Sequence, residues 1–202
     1  QLERDNLAAF SKPELLKMTE RDRRQIKNMI RLIDDMLDLS RISSDKLSIR
    51  PVETDLSELL ERLVHDFTPQ AQSAGYQLRL DILDRVEGKW DAFRLEQIIV
   101  NLLTNAMRYG NGNPITLTLH QQGNTAVVAV RDQGHGISPE DQERIFQAFE
   151  RGQGNQVKSG LGLGLYIAQQ LAEAHAGSIA VQSTLNAGST FTLSLPLVSQ
   201  QV

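Results

Sequence analysis

The sequence predicts an α+β fold, a two-layer α/β sandwich that follows one long helix. Three observations favour this class: an initial stretch with a helical apolar stripe, capping boxes ahead of two amphipathic segments, and several short segments in which every second residue is apolar. The chain has 202 residues, of which 40% are hydrophobic and 23% charged. This length and composition suffice for one or two hydrophobic cores and exclude a disordered or fibrous protein.

The first predicted element is a long helix that begins at a capping box. Residues 11–14 read Ser-Lys-Pro-Glu, in which the Ser and Glu side chains can bond backbone N–H groups that a new helix leaves unpaired. Downstream, apolar residues recur at spacings of three and four, which is typical of a bundle helix: Ile26, Met29, Ile30, Ile33, Met36 and Leu37. Residues 1–6 are too few to cover these six side chains, which we call the apolar stripe. The apolar stripe therefore predicts a partner helix, either from a preceding segment or from a second subunit.

The pattern changes after Ile42, where a polar segment closed by Pro51 predicts a domain boundary between residues 43 and 54. The two domains are then 1–50 and 51–202. A second capping box, Asp-Leu-Ser-Glu at 55–58, begins the next amphipathic helix. Further helices are predicted over 92–109, 139–149 and 162–175, and strands over 76–82, 115–119, 125–131, 178–184 and 189–195. We expect the strands to pair antiparallel, with 121–124 as one hairpin turn.

Composition also excludes several classes of function. The chain has no cysteine, which rules out disulfides, thiolate nucleophiles and zinc–thiolate sites and favours a reducing compartment. Its net charge of −4 argues against a general nucleic-acid binder. No window approaches the roughly 18 consecutive apolar residues of a membrane span.

Two asparagines lie four residues apart on the predicted helix 92–109. Asn101 and Asn105 therefore face the same way, and Arg108 and Tyr109 extend that surface by one turn. A hydrogen-bonded seam between helices explains the pair, and from the spacing alone this is the better interpretation. A phosphate site is the alternative, because amide oxygens suit Mg²⁺ beside phosphate oxygens and arginine neutralises phosphate charge.

A glycine-rich turn, Asp-Gln-Gly-His-Gly at 132–136, follows the predicted strand 125–131. Glycines here allow backbone conformations closed to other residues and let a ligand approach the main chain. A tight turn would account for them equally well. The aspartate at the strand end favours a ligand, since a fixed carboxylate accepts a hydrogen bond from an exocyclic amine such as that of adenine.

A second glycine-rich segment, Gly-Leu-Gly-Leu-Gly at 160–164, opens a predicted helix. Free N–H groups and the positive end of the helix dipole suit a phosphate at such a position. The pattern alone is weak, and it matches neither the P-loop nor the dinucleotide-binding motif. The preceding segment 150–159 is polar and glycine-rich and carries the cations Arg151 and Lys158, which is typical of a lid.

In this order, the segments resemble the catalytic core of sensor histidine kinases of two-component signalling, in the ATPase superfamily shared with gyrase, MutL and the heat-shock chaperone. The similar segments are 29–42 (second helix of the dimerisation and phosphotransfer hairpin), 94–109 (N box), 132–136 (first glycine box), 144–149 (phenylalanine box), 160–165 (second glycine box) and 186–191 (last small motif). The resemblance covers nearly the whole chain. It implies a sandwich of the GHKL (Bergerat) type preceded by a helix of the hairpin.

The resemblance also implies a site for ATP or ADP with Mg²⁺. Asn105 would coordinate Mg²⁺ between the ATP phosphates, with Asn101 beside it as the second catalytic residue. Asp132 would accept the adenine amine, and Phe146 and Phe149 would anchor the lid. The implied nucleotide-binding residues are Asn101, Asn105, Arg108, Tyr109, Asp132, Gly134, Gly136, Ile137, Phe149, Lys158, Gly160, Leu161, Gly162, Leu163 and Gly164.

The activity implied by the resemblance is transfer of the ATP γ-phosphoryl group to a histidine, for relay to an aspartate on the receiver domain of a response regulator. The parent protein would form a homodimer through its helical hairpin and would bind no nucleic acid. We expect this stretch of chain to be cytoplasmic, and its parent could be an inner-membrane sensor.

The phosphoacceptor histidine of this family is absent from the expected place, because residues 1–54 contain no histidine. His65 is followed by an aspartate but lies after the hairpin helix, so we do not expect it to be the acceptor. We expect His120 at the surface and His175 as an imidazolium at a helix C-terminus. For His135 a solvated position in the glycine-rich turn is expected, and a place bordering the nucleotide is the alternative. The chain is therefore expected to be a piece of a larger sensor kinase that binds Mg-ATP without phosphorylating itself.

Two other functions stay open from the sequence. In ATPases of the gyrase or chaperone kind, a glutamate at the position of Asn101 activates water, and an asparagine cannot act as that general base. A non-catalytic nucleotide sensor or protein-binding module would keep the pocket only for structure. Asn105, Asp132 and the glycines argue against decay of the site, but they indicate binding capacity and not turnover.

Overall fold

The computed structural model describes residues 12–150 and 161–197. Its helices are α1 (Lys12–Ser43), α2 (Leu56–Ser73), α3 (Ala92–Tyr109), α4 (Pro139–Arg144) and α5 (Gly164–Ala174). Its strands are β1 (Val52–Asp55), β2 (Leu78–Ile82), β3 (Glu87–Trp90), β4 (Ile115–Gln122), β5 (Thr125–Arg131), β6 (Ser178–Thr184) and β7 (Gly188–Pro196). The predicted α+β sandwich with a long helix ahead of it is confirmed.

Five strands form one mixed sheet in the order β2-β4-β5-β7-β6. Three of its four pairs are antiparallel, as predicted. The pair β2–β4 is parallel, with Leu78 opposite Ile115, and this pairing was not among the antiparallel ones that the sequence predicted. The connection from β2 to β4 runs through β3 and α3, and such a crossover returns the chain in the direction in which it left.

Strands β1 and β3 form a separate two-stranded antiparallel sheet that the sequence did not predict. Each has only four residues, too few to establish an alternating pattern. The small sheet is joined to the large one by Trp90, whose buried indole N–H donates to the carbonyl of Pro196 at 3.0 Å. This bond holds the entrance to α3 against the last strand.

The apolar core lies between one face of the large sheet and helices α2, α3 and α5. Helix α3 contributes a row of fully buried side chains at helical spacing, including Leu95, Ile98 and Leu102. The sheet contributes every second residue of its central strands, such as Leu117 and Val128. Helix α3 is thereby fixed on its apolar side, and one of its polar residues, Asn101, lies beside Gly164 at the start of α5.

Local signals set most helix boundaries. Asp55 accepts the backbone N–H of Glu58 at 2.9 Å, which confirms the second capping box, whereas Ser11 of the first lies outside the described residues. Helix α4 ends at Arg144 and not at residue 149 as predicted, and Phe149 adopts a positive φ of 66° in the turns that follow. A residue in this region of backbone space cannot continue a right-handed helix.

Helix α1 presents its apolar stripe to solvent. The six side chains are each between 50% and 62% exposed, so no described segment of the chain covers them. The opposite face carries Asp35 and Asp38, which are buried against the sandwich. None of the described helices is long and apolar enough to cross a membrane.

Candidate functional site

The polar edge of α3 meets the beginning of α5, and Asn101 lies at this junction. The residue is 8% exposed, and its amide nitrogen is buried without a hydrogen-bond partner among the described residues. A Cβ atom placed on Gly164 would lie 3.5 Å from the Oδ1 atom of Asn101. The amide nitrogen therefore does not make the interhelical hydrogen bond that the structural interpretation required.

The same junction contains an uncapped helix N-terminus. Helix α5 is preceded by Leu163, whose side chain cannot accept a hydrogen bond, so the residue at the N-cap position does not cap the helix. The first N–H groups of a helix have no partner within the helix, and together with the dipole they favour an anion. An unpaired amide donor and an uncapped helix therefore lie next to each other.

The remaining polar residues of α3 follow Asn101 towards its C-terminal end. Asn105 and Arg108 are half-buried, and the ring of Tyr109 is exposed. The carbonyl of Tyr109 accepts the backbone N–H of His135 at 3.3 Å, which ties the end of α3 to the first glycine-rich turn. Sequence analysis placed these residues on one surface, and the structure joins that surface to the turn.

Asp132 is a buried carboxylate at the end of β5. It is 3% exposed, and its Oδ1 atom accepts the backbone N–H of Gly134 at 2.8 Å. Burial raises the pKa of Asp132, and hydrogen bonds from the N–H groups of Gly134 and Ser189 oppose that rise. These bonds fix the orientation of the carboxylate before any ligand arrives.

The first glycine-rich turn is packed tightly on both sides. A Cβ atom on Gly134 would lie 1.9 Å from the carbonyl oxygen of Tyr109, and one on Gly136 would lie 2.0 Å from that of Thr184. The backbone of neighbouring elements fills the space that the missing side chains leave. This packing explains why both positions are glycine, and the predicted role of Gly134 and Gly136 in nucleotide binding stays a prediction.

The second glycine-rich segment is described from Leu161 onward, and Lys158 and Gly160 lie outside the described residues. The carbonyl of Gly162 accepts the backbone N–H of Phe149 at 3.1 Å, which joins the two ends of segment 150–161. The ring of Phe149 itself is 62% exposed.

Three further residues that the resemblance implicates contact the core: Phe146, Leu163 and Ile137. Phe146 packs edge-to-face on Phe191, with 6.4 Å between ring centroids. Leu163 is buried, and Ile137 is half-buried with its backbone N–H donating to the hydroxyl of Ser183 at 2.8 Å. Of the two phenylalanines expected to anchor the lid, only Phe146 has its ring against the core.

The histidines take different roles from one another. His65 and His135 are exposed and His120 is half-buried in β4. His175 lies at the C-terminus of α5, as expected, but not as an imidazolium. Burial lowers its pKa, and its ring bonds the carbonyl of Leu171 through Nδ1 (2.7 Å) and the N–H of Asp91 through Nε2 (3.1 Å). A nitrogen that accepts an N–H cannot hold a proton as well, so the neutral ring is the form that fits.

Sequence reasoning missed two groups of polar residues. Ser183 and Ser189 lie 2.9 Å apart through their hydroxyls, and with Asp132 they line a cavity of about 200 Å³. Ser189 belongs to the small motif 186–191, which could have drawn attention to it. The second group is an ion pair between Arg94 and Asp38, whose members occur in two separate motifs that give no sign of their contact.

The donor set bears on which metal the site could hold. Among the described residues, no group of three or more His, Cys, Asp or Glu side chains is placed to bind a metal ion. Mg²⁺ needs few protein ligands, because it keeps several waters and takes further oxygens from substrate phosphates. Asn105 is half-buried one turn along α3 from Asn101, which lies beside the start of α5, and its amide oxygen fits Mg²⁺ held together with a nucleotide.

Comparison with known proteins gives one family. Residues 90–199 match the family described as "Histidine kinase-, DNA gyrase B-, and HSP90-like ATPase". Among curated proteins, the adaptive-response sensory kinase SasA of Synechococcus sp. is 36% identical over 181 residues, covering 88% of this chain and 48% of that protein. The histidine protein kinase DivJ of Caulobacter vibrioides is 34% identical over 175 residues, 85% of this chain and 29% of that protein. The chain thus spans half or less of these relatives.

Solved structures agree on the fold. The Acinetobacter baumannii histidine kinase AdeS superposes with a TM-score of 0.73 at 22% identity, covering 97% of this chain and 91% of that one. The histidine kinase ThkA, solved in complex with the response regulator protein TrrA, gives a TM-score of 0.69 at 21% identity, covering 96% of this chain and 55% of that one. At these identities the likeness establishes the shared architecture.

Proposed function

The chain belongs to the histidine kinase-, DNA gyrase B- and HSP90-like ATPase family, as a catalytic domain homologous to sensor histidine kinases, and on that premise we propose its reaction. It binds Mg-ATP between α3 and α5 and donates the γ-phosphoryl group to a histidine on another segment or subunit. ADP leaves the same site.

The observation that carries this proposal is the unpaired amide of Asn101 beside the uncapped start of α5. A buried polar group without a partner is costly in a folded protein, and such groups are expected to meet a ligand or water. Phosphate oxygens would accept from the Asn101 amide and from the N–H groups that open α5. Asn105, one turn further along, would then supply an oxygen to Mg²⁺.

The base of the nucleotide is assigned to the other end of the site. The buried, pre-oriented carboxylate of Asp132 would accept the exocyclic amine of adenine, and Ser189 lies beside it. Arg108 and Tyr109, at the end of α3, would flank the nucleotide. Lys158 and Gly160 complete the proposed set from the segment between Phe149 and Leu161.

Mg²⁺ would neutralise charge on the phosphates and hold the γ-phosphoryl group in line with its acceptor. The chain's own contribution is positioning, since phosphoryl transfer needs little covalent chemistry from the protein. Asn101 cannot take a proton from water, so the site favours transfer to a supplied nucleophile over hydrolysis.

The test is to incubate the chain with γ-labelled ATP and Mg²⁺, with and without a separate helical hairpin that carries an acceptor histidine. We expect acid-labile, base-stable label on the added hairpin, and background phosphate release without it. Rapid phosphate release that is lost in Asn101→Ala would instead assign a water-splitting ATPase. Label of that stability on the chain itself would contradict the absence of an acceptor in residues 1–202.

The same proposal extends to the role of the parent protein. Residues 1–50 would belong to a dimerisation hairpin and 51–202 to the catalytic domain, with a homodimer formed through the hairpin of the parent protein. The phosphoryl group would pass to the receiver domain of a response regulator, a partner for which the ThkA–TrrA complex is a precedent in a protein of this fold. A cytoplasmic location for this part of the parent protein remains part of the proposal.

A further inference from the structure

His175 joins the end of α5 to the beginning of α3. The backbone N–H of Asp91 donates to its Nε2 atom at 3.1 Å, and its Nδ1 atom donates to the carbonyl of Leu171 at 2.7 Å. The residue is 5% exposed, so both hydrogen bonds are shielded from water. The ring therefore connects its own helix to a backbone group that lies 84 residues earlier in the chain.

The bond to Asp91 completes the N-terminal cap of α3. In a capping box, the N-cap side chain accepts the N–H of the third helical residue, and the side chain of that residue accepts the N-cap N–H in return. Asp91 makes the first of these bonds, with the N–H of Arg94 at 3.2 Å. Arg94 cannot make the second, because a guanidinium has no acceptor. His175 supplies the missing acceptor from another helix.

A second contact joins the same two helices at their other ends. Asn101 of α3 lies beside Gly164, the first residue of α5. The stretch from Asp91 to Asn101 and the stretch from Gly164 to His175 both correspond to about 15–17 Å of helix. The helices therefore run antiparallel, with His175 at one end of their contact and the start of α5 at the other.

The packing of α5 between these two ends is apolar. Its buried side chains are Ile167, Ala168, Leu171 and Ala172. Burial of apolar surface is favourable but has no preferred direction, so such contacts define the position of a helix along its neighbour less sharply than a hydrogen bond does. A displacement by one residue, about 1.5 Å, would already break the bond between His175 and Asp91.

We propose that His175 is a positioning residue that fixes α5 along α3 and thereby holds the first N–H groups of α5 beside the Asn101 amide. Loss of the hydrogen bond to Asp91 would let α5 shift, and the two sets of donors would then no longer meet one phosphate group together. The position of the helix does not depend on the proposed function, whereas the effect on Mg-ATP rests on it.

Acid should open the bond between the two helices. Nε2 accepts the Asp91 N–H only while the ring is neutral. Burial lowers the pKa of His175, so the bond is present at neutral pH and is lost as the pH falls through the pKa of the folded state. Of the charged groups that face the ring from α3, the Asp91 carboxylate favours the imidazolium and Arg94 opposes it. Arg94 is in turn paired with Asp38 of α1.

Two amide variants separate the hydrogen bond from the rest of the side chain. In His175→Gln the amide oxygen can take the place of Nε2 and accept the Asp91 N–H, without a group that titrates. His175→Asn is one methylene shorter, so its amide does not reach Asp91. Leu60→Ala, at a fully buried residue of α2, is the control for a general loss of stability, because it changes no residue of α3 or α5.

Nuclear magnetic resonance measures the position of the helix directly, in the full chain at pH 7.5. We expect the amide of Asp91 to be protected from hydrogen exchange in the native chain and in His175→Gln, and to lose this protection in His175→Asn. The amide resonances of Gly164 and Leu165 lie about 16 Å along the helix from the substitution. They should shift in His175→Asn and stay at their native values in His175→Gln.

Calorimetric titration with a non-hydrolysable ATP analogue and Mg²⁺ measures the consequence for binding, at a temperature at which circular dichroism shows all four proteins folded. His175→Asn should bind about threefold to tenfold more weakly than the native chain, the range that corresponds to one hydrogen bond. His175→Gln and Leu60→Ala should bind as the native chain does.

A pH series tests the same bond without any destabilising variant. The affinity of the native chain, divided by that of His175→Gln, should fall over the pH range in which the ring resonances of His175 titrate. The ratio removes the titration of the nucleotide phosphates and of other groups that the two proteins share.

The proposal is overturned if His175→Asn keeps the protection of the Asp91 amide, or loses it while the Gly164 resonance and the affinity stay native. It is equally overturned if His175→Gln binds as weakly as His175→Asn, if Leu60→Ala weakens binding as much, or if the ring titrates without a change in the affinity ratio. Absence of Mg-ATP binding in every sample would reject the proposed function, and the exchange and resonance measurements would still decide the position of the helix.

Discussion

Helix α1 and the sandwich differ in which side chains they bury. The sandwich encloses its apolar side chains between the sheet and helices α2, α3 and α5, and the polar Asn101 of α3 lies beside Gly164 at the start of α5. Helix α1 exposes its apolar stripe and buries charges. The described sandwich therefore encloses its own core, whereas no described segment covers the apolar stripe of α1.

Within the sandwich, the residues that stabilise the fold are different from the residue that is left unpaired at the site. The core of the sandwich holds α3 in place and leaves Asn101 unpaired at its polar edge, so that stability elsewhere offsets the cost of one unsatisfied amide. On α1, the buried Asp38 pairs with Arg94, and loss of either partner would leave an uncompensated buried charge. The predictions that follow test this contrast, from the largest expected effect to the smallest.

The largest effect is expected in the core of the sandwich. Leu102→Ala removes a fully buried side chain of α3 and leaves a cavity beneath the site. Truncation of a buried leucine costs about 2–5 kcal/mol of unfolding free energy. Urea denaturation followed by circular dichroism measures it, and a loss below about 1 kcal/mol would contradict the central place of α3 in the core.

The next effect is on binding and leaves the core unchanged. Asp132→Asn keeps the shape of the side chain but replaces the charged acceptor, and a hydrogen bond to a charged group contributes about 1.5–3 kcal/mol. We expect adenine-nucleotide affinity to fall by about tenfold to a hundredfold in calorimetric titration. Asp81→Asn, at an exposed carboxylate on β2, is the matched control and should bind as the native chain does. Equal affinity for both variants would place the base elsewhere.

A smaller effect comes from His175. In the unfolded chain the imidazole takes up a proton near its ordinary pKa of 6.5, whereas burial lowers the pKa in the folded state. The unfolded state therefore binds more protons below that pH, and the contribution to stability is full above it and is lost as the pH falls. We expect the unfolding free energy to drop by about 1 kcal/mol more between pH 7.5 and 5.5 than in His175→Asn. Parallel pH profiles for the two proteins would show that the imidazole is not held neutral.

The smallest effect is expected on α1. Ile33→Ala shortens an exposed side chain of the apolar stripe, so in a monomeric sample it should change the unfolding free energy by less than about 0.5 kcal/mol. Sedimentation identifies the concentration range in which the chain is monomeric. A loss comparable with that of Leu102→Ala would mean that the sandwich itself covers the apolar stripe.

The sequence predicted the elements whose signals are local. Helix α3 and strands β5 and β6 have the predicted bounds, and Asp55 caps α2 as the capping box indicated. Where the outcome depends on contacts far apart in the chain, prediction failed. The parallel pairing of β2 with β4, the small sheet of β1 and β3, and the early end of α4 follow from tertiary packing that periodicity does not contain.

The same distinction between local signals and distant contacts applies to the candidate site. Sequence spacing placed Asn101 and Asn105 on one face of α3 and placed Asp132 at a strand end, because both relations lie within a few residues. It could not place Asn101 beside Gly164 or bring Asp38 to Arg94, since those partners are more than 50 residues apart. The neutral state of His175 was missed for the same reason, because its acceptor role depends on the N–H of Asp91.

The central claim is that the polar edge of α3 binds a nucleotide through Mg²⁺, and one titration tests it most directly. A non-hydrolysable ATP analogue is added to the native chain and to Asn105→Ala, each with Mg²⁺ and with a chelator, and Asn124→Ala in an exposed turn is the control. Binding should be strong only with Mg²⁺ in the native and control chains, and it should weaken to the chelator level in Asn105→Ala. Binding that is equal with and without Mg²⁺, or unchanged in Asn105→Ala, would contradict the account.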